Sequence, residues 1–85
     1  ALMALDRLAG WRRRAEAATA DLSGRTPARL LDVFAAWPQV TAPLAEAETA
    51  ASRAAIQRNL DRLAARGLIR EVTGQGRDRV WTAAL

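Results

Sequence analysis

Residues 52–81 read SRAAIQRNLDRLAARGLIREVTGQGRDRVW, and the order of periodicities in this stretch leaves few folds open. Ser52 stands where a side-chain oxygen can accept a backbone N–H and start a helix. Ile56, Leu60 and Leu63 recur at i, i+4 and i+7, which predicts one apolar stripe along that helix. Gly67, directly after Arg66, fits the left-handed position that ends helices. Leu68, Ile69 and Val72 then read as apolar strand positions. Residues 73–78 hold two glycines and read as a turn, and residues 79–82 return as a second strand.

A helix, a glycine stop and a two-stranded ribbon make up the second half of a winged helix-turn-helix. The run SRAAIQRNLDRLAARGLI resembles the recognition-helix signature of bacterial winged-helix regulators: a Ser, an aliphatic residue four positions on, two leucines, then Gly-Leu-Ile. The ending EVTGQGRDRVW resembles the wing of winged-helix domains at the C-terminus of Fic-type proteins and of related uncharacterised bacterial proteins. The upstream run PARLLDVFAAWPQVTAPLAEAE fits the same group. The resemblance covers residues 27–85 and implies a DNA-binding fold. Two departures stand out. Familiar regulators place Gly in the turn before the recognition helix, where this chain has Thr49, Ala50 and Ala51, and the spacing from Leu44 to Ser52 is one residue longer than usual.

Eighty-five residues allow one small domain. The expected fold class is mainly α with a small β-hairpin wing: an N-terminal helix over residues 1–25, then a winged helix-turn-helix over residues 26–85. No run approaches the roughly 20 apolar residues of a membrane span, and charges at Asp6, Arg7 and Arg12 break any signal-peptide core. With no Cys there is no disulfide framework. The expected setting is cytoplasmic, with no membrane partner. A start at Ala1 fits a fragment of a longer protein with an upstream domain.

All 13 basic residues are Arg. Arg-only usage with abundant Ala fits a GC-rich genome, but the placement of the charge is more telling. Residues 1–25 carry five Arg against three acids, residues 26–51 one against three, and residues 52–85 seven against three. The positive charge gathers on the expected recognition helix and wing, the electrostatic footprint of a phosphate-binding surface.

In chain order, residues 1–22 read as a helix with a heptad-like seam of Ala4, Leu8, Trp11, Ala15, Ala18 and Leu22. Three readings of that seam stand: packing on the chain's own core, a homodimer through this helix, or a linker helix leaning on a missing upstream domain. Arg12, Arg13 and Arg14 read as a solvated face. Thr26 is expected to cap the next helix, with Pro27 at its first position, and Leu30, Val33, Phe34 and Trp37 form its buried face. Pro38 ends it by disfavouring α conformation at Trp37. Gln39 and Val40 read as a short strand against the wing. Thr41 caps a short helix with Leu44 and Ala47 pointing inward. This is the positioning helix, which need not be basic.

With Ile56, Leu60 and Leu63 against the core, a rotation of about 100° per residue turns Ala54, Arg58, Asp61, Arg62 and Ala65 outward. Arg53 and Gln57 fall on one flank near the helix start. Recognition helices read bases mainly with their first turns, so Arg53, Gln57 and Arg58 are the candidates for base edges. Arg suits guanine and Gln suits adenine through paired hydrogen bonds. Ser52 is a cap and a candidate phosphate donor. Arg62 is expected at phosphate, or paired with Asp61 or the neighbours of Arg66. Asp61 belongs at the groove edge. At the wing, Arg77 and Arg79 beside Gly74 and Gly76 are candidate phosphate or minor-groove contacts, or else a solvated hairpin; Asp78 dilutes their charge. Trp81 is expected to anchor the returning strand.

The chain has no His, Cys, Lys or Tyr. That removes Ser-His and Cys-His nucleophile pairs and zinc sites built on His or Cys, and Gly-Gln-Gly in the wing lacks the context of a phosphate loop. Neither a cofactor nor an enzymatic activity is expected. The expectation is sequence-specific binding of double-stranded DNA, in a transcriptional regulator or the DNA-binding module of a larger bacterial protein; the alternative is a winged helix that docks a protein.

Overall fold

The computed structural model describes residues 2–72 and 79–85. The elements run α1 (Leu2–Ala18), α2 (Thr26–Ala36), β1 (Val40–Thr41), α3 (Ala42–Thr49), α4 (Arg53–Ala65), β2 (Ile69–Glu71) and β3 (Val80–Ala83). The fold is mainly α with a small three-stranded antiparallel sheet in the order β1-β3-β2, an arrangement compatible with a winged helix. No described helix is long and apolar enough to cross a membrane. The expected turn over 73–78, with Gly74, Gly76, Arg77 and Asp78, lies outside the described residues.

The stripe Ile56, Leu60 and Leu63 is fully buried, so α4 packs as its periodicity predicts. Its end is a Schellman motif. Gly67 takes φ +75°, its N–H donates to the Ala64 carbonyl at 3.0 Å, and the N–H of Leu68 donates to the Leu63 carbonyl at 3.0 Å. Leu63 and Leu68 are both buried, which adds the apolar contact that accompanies this motif. The chain then enters β2. In the sheet Val40 pairs with Trp81, and Ile69, Arg70 and Glu71 pair with Ala83, Thr82 and Trp81. Alternation puts Val40, Ile69 and Trp81 on the core face, and all three are buried. The short strand expected around Gln39 and Val40 is therefore real, but shifted one residue to Val40–Thr41.

The N-terminal helix belongs to this core. Trp11 and Ala15 from the heptad-like seam are fully buried against the same cluster, and Leu8 and Ala18 pack on its edge. The Trp11 indole N–H donates to the Leu68 carbonyl at 2.7 Å. The helix stops at Ala18, four residues short of the expected end. There the Thr19 hydroxyl turns back to the Ala15 carbonyl at 2.8 Å, and the Arg66 guanidinium donates to the Ala18 carbonyl. Arg13 and Arg14 are exposed as expected. Arg12 is not merely solvated: it bridges Glu16 at 3.2 Å and Asp32 of α2 at 2.7 Å.

Four local expectations are corrected. Thr26 does not cap α2. Arg25 precedes it in α conformation and its carbonyl already accepts from Arg29 at 3.1 Å, so the helix begins with Thr26 inside it. Trp37 is not core: it is 43% exposed. Pro38 forces it to φ −120° and ψ 131°, which turns its side chain off the helical face that buries Phe34. In α3 the inward alanine is Ala45, fully buried, while Ala47 is exposed. Val72 is 37% exposed beyond the end of β2, although its N–H still pairs with the Val80 carbonyl at 2.9 Å.

The α1–α4 junction is closed by Arg66, which holds both carboxylate oxygens of Asp21 at 2.7 and 3.0 Å. The hydrogen bonds from Arg66 hold the Asp21 carboxyl below the usual carboxylate range. A depressed folded-state value stabilises the fold above the unfolded value of about 3.9 and loses that contribution as pH falls through the folded value. Asp21→Asn should therefore be less stable than the wild type at neutral pH, and the gap should close as pH falls below about 4; urea unfolding across pH checks this. The same titrations at neutral pH separate the tryptophans. Trp11→Ala should cost about 3–5 kcal/mol, a large part of the roughly 5–15 kcal/mol such a domain holds, whereas Trp37→Ala should cost under about 1 kcal/mol.

Candidate nucleic-acid interface

The candidate surface is built on α3, the turn after it, and α4. Thr41 serves twice, as a residue of β1 and as the cap of α3, where its hydroxyl accepts from the Leu44 N–H at 3.3 Å. Strand β1 and helix α3 are thus locked together without a linker. The turn is then set by Thr49, which is 2% exposed. Its hydroxyl donates to the Ala45 carbonyl at 2.7 Å and accepts from the Ala51 N–H at 3.2 Å. Arg29 of α2 braces the same place, its guanidinium on the Thr49 carbonyl at 3.0 Å. Ala50 sits at φ 58°, the left-handed conformation that glycine adopts at no steric cost. The turn that holds Thr49, Ala50 and Ala51 is thus closed by an alanine in the left-handed region.

α4 then starts on Ser52, whose hydroxyl accepts from the Ala55 N–H at 3.2 Å. Ala54, Arg58, Asp61, Arg62 and Ala65 are all exposed, matching the outward face laid out from the sequence. Arg58 and Arg62 make no ion pair among the described residues, and Asp61 is bonded by Gln57 while Arg66 takes Asp21, so neither partner suggested for Arg62 is engaged with it. Asn59, which the stripe argument left unassigned, is buried on the inner flank and donates to the Ala55 carbonyl at 2.8 Å.

Beside this face lies a cleft of about 410 Å³ between the start of α3, the first turns of α4 and β3, lined by Thr41, Pro43, Arg53, Gln57, Arg79 and Trp81. It gathers Arg53, Gln57 and Arg79, nominated separately from the sequence, into one place. Ser52, Arg58 and Arg62 lie outside its lining, and Arg77 lies outside the described residues. Each of these three has a carboxylate partner. Arg53 holds Glu46 of α3 at 3.0 and 3.1 Å. Gln57 donates to Asp61 at 3.1 Å. Arg79 grips Glu71 with two bonds of 3.0 and 3.2 Å, and its guanidinium lies over the Trp81 ring, 4.5 Å from the centroid. Donating these bonds to Glu71 raises the Arg79 pKa above its ordinary value. Trp81 does anchor β3 and is buried, and it also supplies the platform for Arg79.

Sequence reasoning missed Glu46 and Glu71. The Gln57–Asp61 contact has a visible signal, since i and i+4 share a helix face. Glu71 with Arg79 depends on the β2–β3 register, and Glu46 with Arg53 on the angle of the turn. Relieving the strain at that turn should be measurable. Ala50→Gly should raise stability by up to about 1 kcal/mol, the left-handed cost of alanine outweighing the added freedom of the unfolded chain, as read by thermal or urea unfolding.

No protein-family model matches the chain, and no curated protein and no solved structure matches it either.

Proposed function

We propose that the chain is a winged helix-turn-helix domain that binds double-stranded DNA, as a transcriptional regulator or as the DNA-binding module of a larger bacterial protein, akin to the C-terminal winged-helix domains of Fic-type proteins. The observation that carries this reading is the outward face of α4, with exposed Arg58 and Arg62, flanked by a cleft that collects Arg53, Gln57 and Arg79. A helix of 13 residues is about 20 Å long and fits a major groove about 12 Å wide. In this reading Arg53, Gln57 and Arg58, in the first turns of α4, face base edges. Ser52 and Arg62 meet phosphate, and Arg79, with Arg77 beyond the described residues, reaches the flanking backbone from the ribbon. The function is binding without a reaction, and its setting is the bacterial cytoplasm.

A second reading, a winged helix that docks a protein, is favoured by a different observation. Leu8, Phe34, Trp37, Pro38, Ala83 and Leu85 line an apolar groove of about 270 Å³, with Trp37 43% and Leu85 52% exposed. A homodimer through α1 belongs to the same reading, and it would use the side of α1 that Trp11 and Ala15 leave free.

Fluorescence anisotropy with a mixed-sequence duplex of about 25 base pairs, roughly two helical turns, separates the two. Wild-type binding should weaken steeply between about 50 and 200 mM salt. Arg58→Ala/Arg62→Ala should bind about tenfold or more weakly and lower the salt slope by about two, while Trp37→Ala binds as the wild type does. A folded wild-type domain that binds no duplex at low salt would sink the DNA reading and leave the apolar groove as the working surface.

A further inference from the structure

The cleft is nearly neutral, although the segment that carries it is the most basic part of the chain. At the cleft the described residues Arg53 and Arg79 stand against Glu46, Asp61 and Glu71, while Arg58 and Arg62 of α4 and Arg70 of β2 lie outside its lining. These carboxylates are not scattered acids. Each one is bonded to a separate member of the cleft: Glu46 to Arg53, Asp61 to Gln57, and Glu71 to Arg79. The bonds use the edges a nucleic acid would need. Arg79 gives both Nε and Nη2 to Glu71, the fork with which Arg holds a phosphate or a guanine edge. Arg53 donates Nε to one oxygen of Glu46, and its Nη2 lies 3.0 Å from the same oxygen. Gln57 gives its amide N–H to Asp61, the donor half of an adenine pair.

We infer that Glu46, Asp61 and Glu71 are specificity-determining residues of this surface, acting as built-in competitors for its DNA-contacting groups. This inference rests on the DNA-binding reading. A phosphate that takes Arg53 or Arg79 gains one charged partner and strips the arginine of another, so the exchange is close to balanced. The released carboxylate stays beside the DNA and repels it. That cost is the same on every duplex, because phosphates carry no sequence information. Only a site that adds base contacts along α4 offsets it. Arg58 and Arg62, without an ion pair among the described residues, supply the attraction that remains. The result is weak binding to arbitrary sequence and a discrimination set by repulsion as well as attraction.

Replacing each carboxylate by its amide keeps size and one acceptor oxygen, removes the charge, and turns the other oxygen into an N–H donor, which loosens the hold on an arginine partner. Glu46→Gln, Glu71→Gln, the Glu46→Gln/Glu71→Gln double variant and Asp61→Asn are compared with wild type by anisotropy on a mixed-sequence duplex, with unfolding curves confirming that each is folded. The expected result is tighter binding to the mixed sequence, by about tenfold per carboxylate at low salt, with a salt slope steeper by about 0.9 for each. Wild-type binding with equal or weaker binding by the variants overturns it, leaves the DNA reading standing, and makes the carboxylates supports that hold the arginines in their binding pose. No binding by any form, the double variant included, overturns the inference together with the DNA reading.

Discussion

The backbone of Leu68 is the junction on which the rest of the molecule depends. Its N–H closes α4 by bonding to Leu63. Its carbonyl accepts the Trp11 indole at 2.7 Å and the Ala84 N–H at 2.9 Å. The backbone of one residue thus joins the N-terminal helix, the end of α4 and the end of the last strand. Gly67 makes this possible, since only a left-handed residue there turns Leu68 back under the helix. The buried Trp11 indole N–H is costly to leave without an acceptor, so its bond to Leu68 ties α1 to this junction in addition to the apolar area it buries. The N-terminal helix is therefore held to the core by packing, by this bond, and by the Arg66–Asp21 pair at its end.

A second constraint is the turn between α3 and α4. Thr49, buried and bonded at both its hydroxyl and its carbonyl, holds the turn from inside, while Ala50 takes up the backbone conformation that closes it. Since α4 begins two residues later on the Ser52 cap, its direction is set here. So is the distance between Glu46 and Arg53, which brings an acidic residue of one helix against a basic residue of the next.

Chemistry on the candidate surface follows from pairing more than from net charge. The last third of the chain is strongly basic in composition, yet its cleft arginines are already engaged by carboxylates, and one lies stacked on a buried tryptophan. Exposed ion pairs of this kind hold geometry more than they add stability. They present the arginines in defined positions and at reduced effective charge.

The sequence by itself determined the helix–stop–strand order of residues 52–72, the outward face of α4, the Ser52 and Thr41 caps, and the Gly67 stop. These features depend on periodicity and on single residues whose local conformational preferences decide the outcome. It was less informative wherever a side chain's fate depends on a distant partner. Trp37 looked like core because it continues the α2 stripe, but Pro38 ends the helix under it, and its side chain leaves the stripe. The seam of α1 read also as a dimer interface or a linker, because a heptad pattern does not say what covers it; the core of the same chain covers Trp11 and Ala15. Only the tertiary structure decided that Arg53, Gln57 and Arg79 share one cleft and that Glu46, Asp61 and Glu71 are bonded there. The pairing of Arg79 with Glu71 depends on strand register, and that of Arg53 with Glu46 on the angle between two helices. Both are properties of the packed chain, with no local signature in the order of its residues.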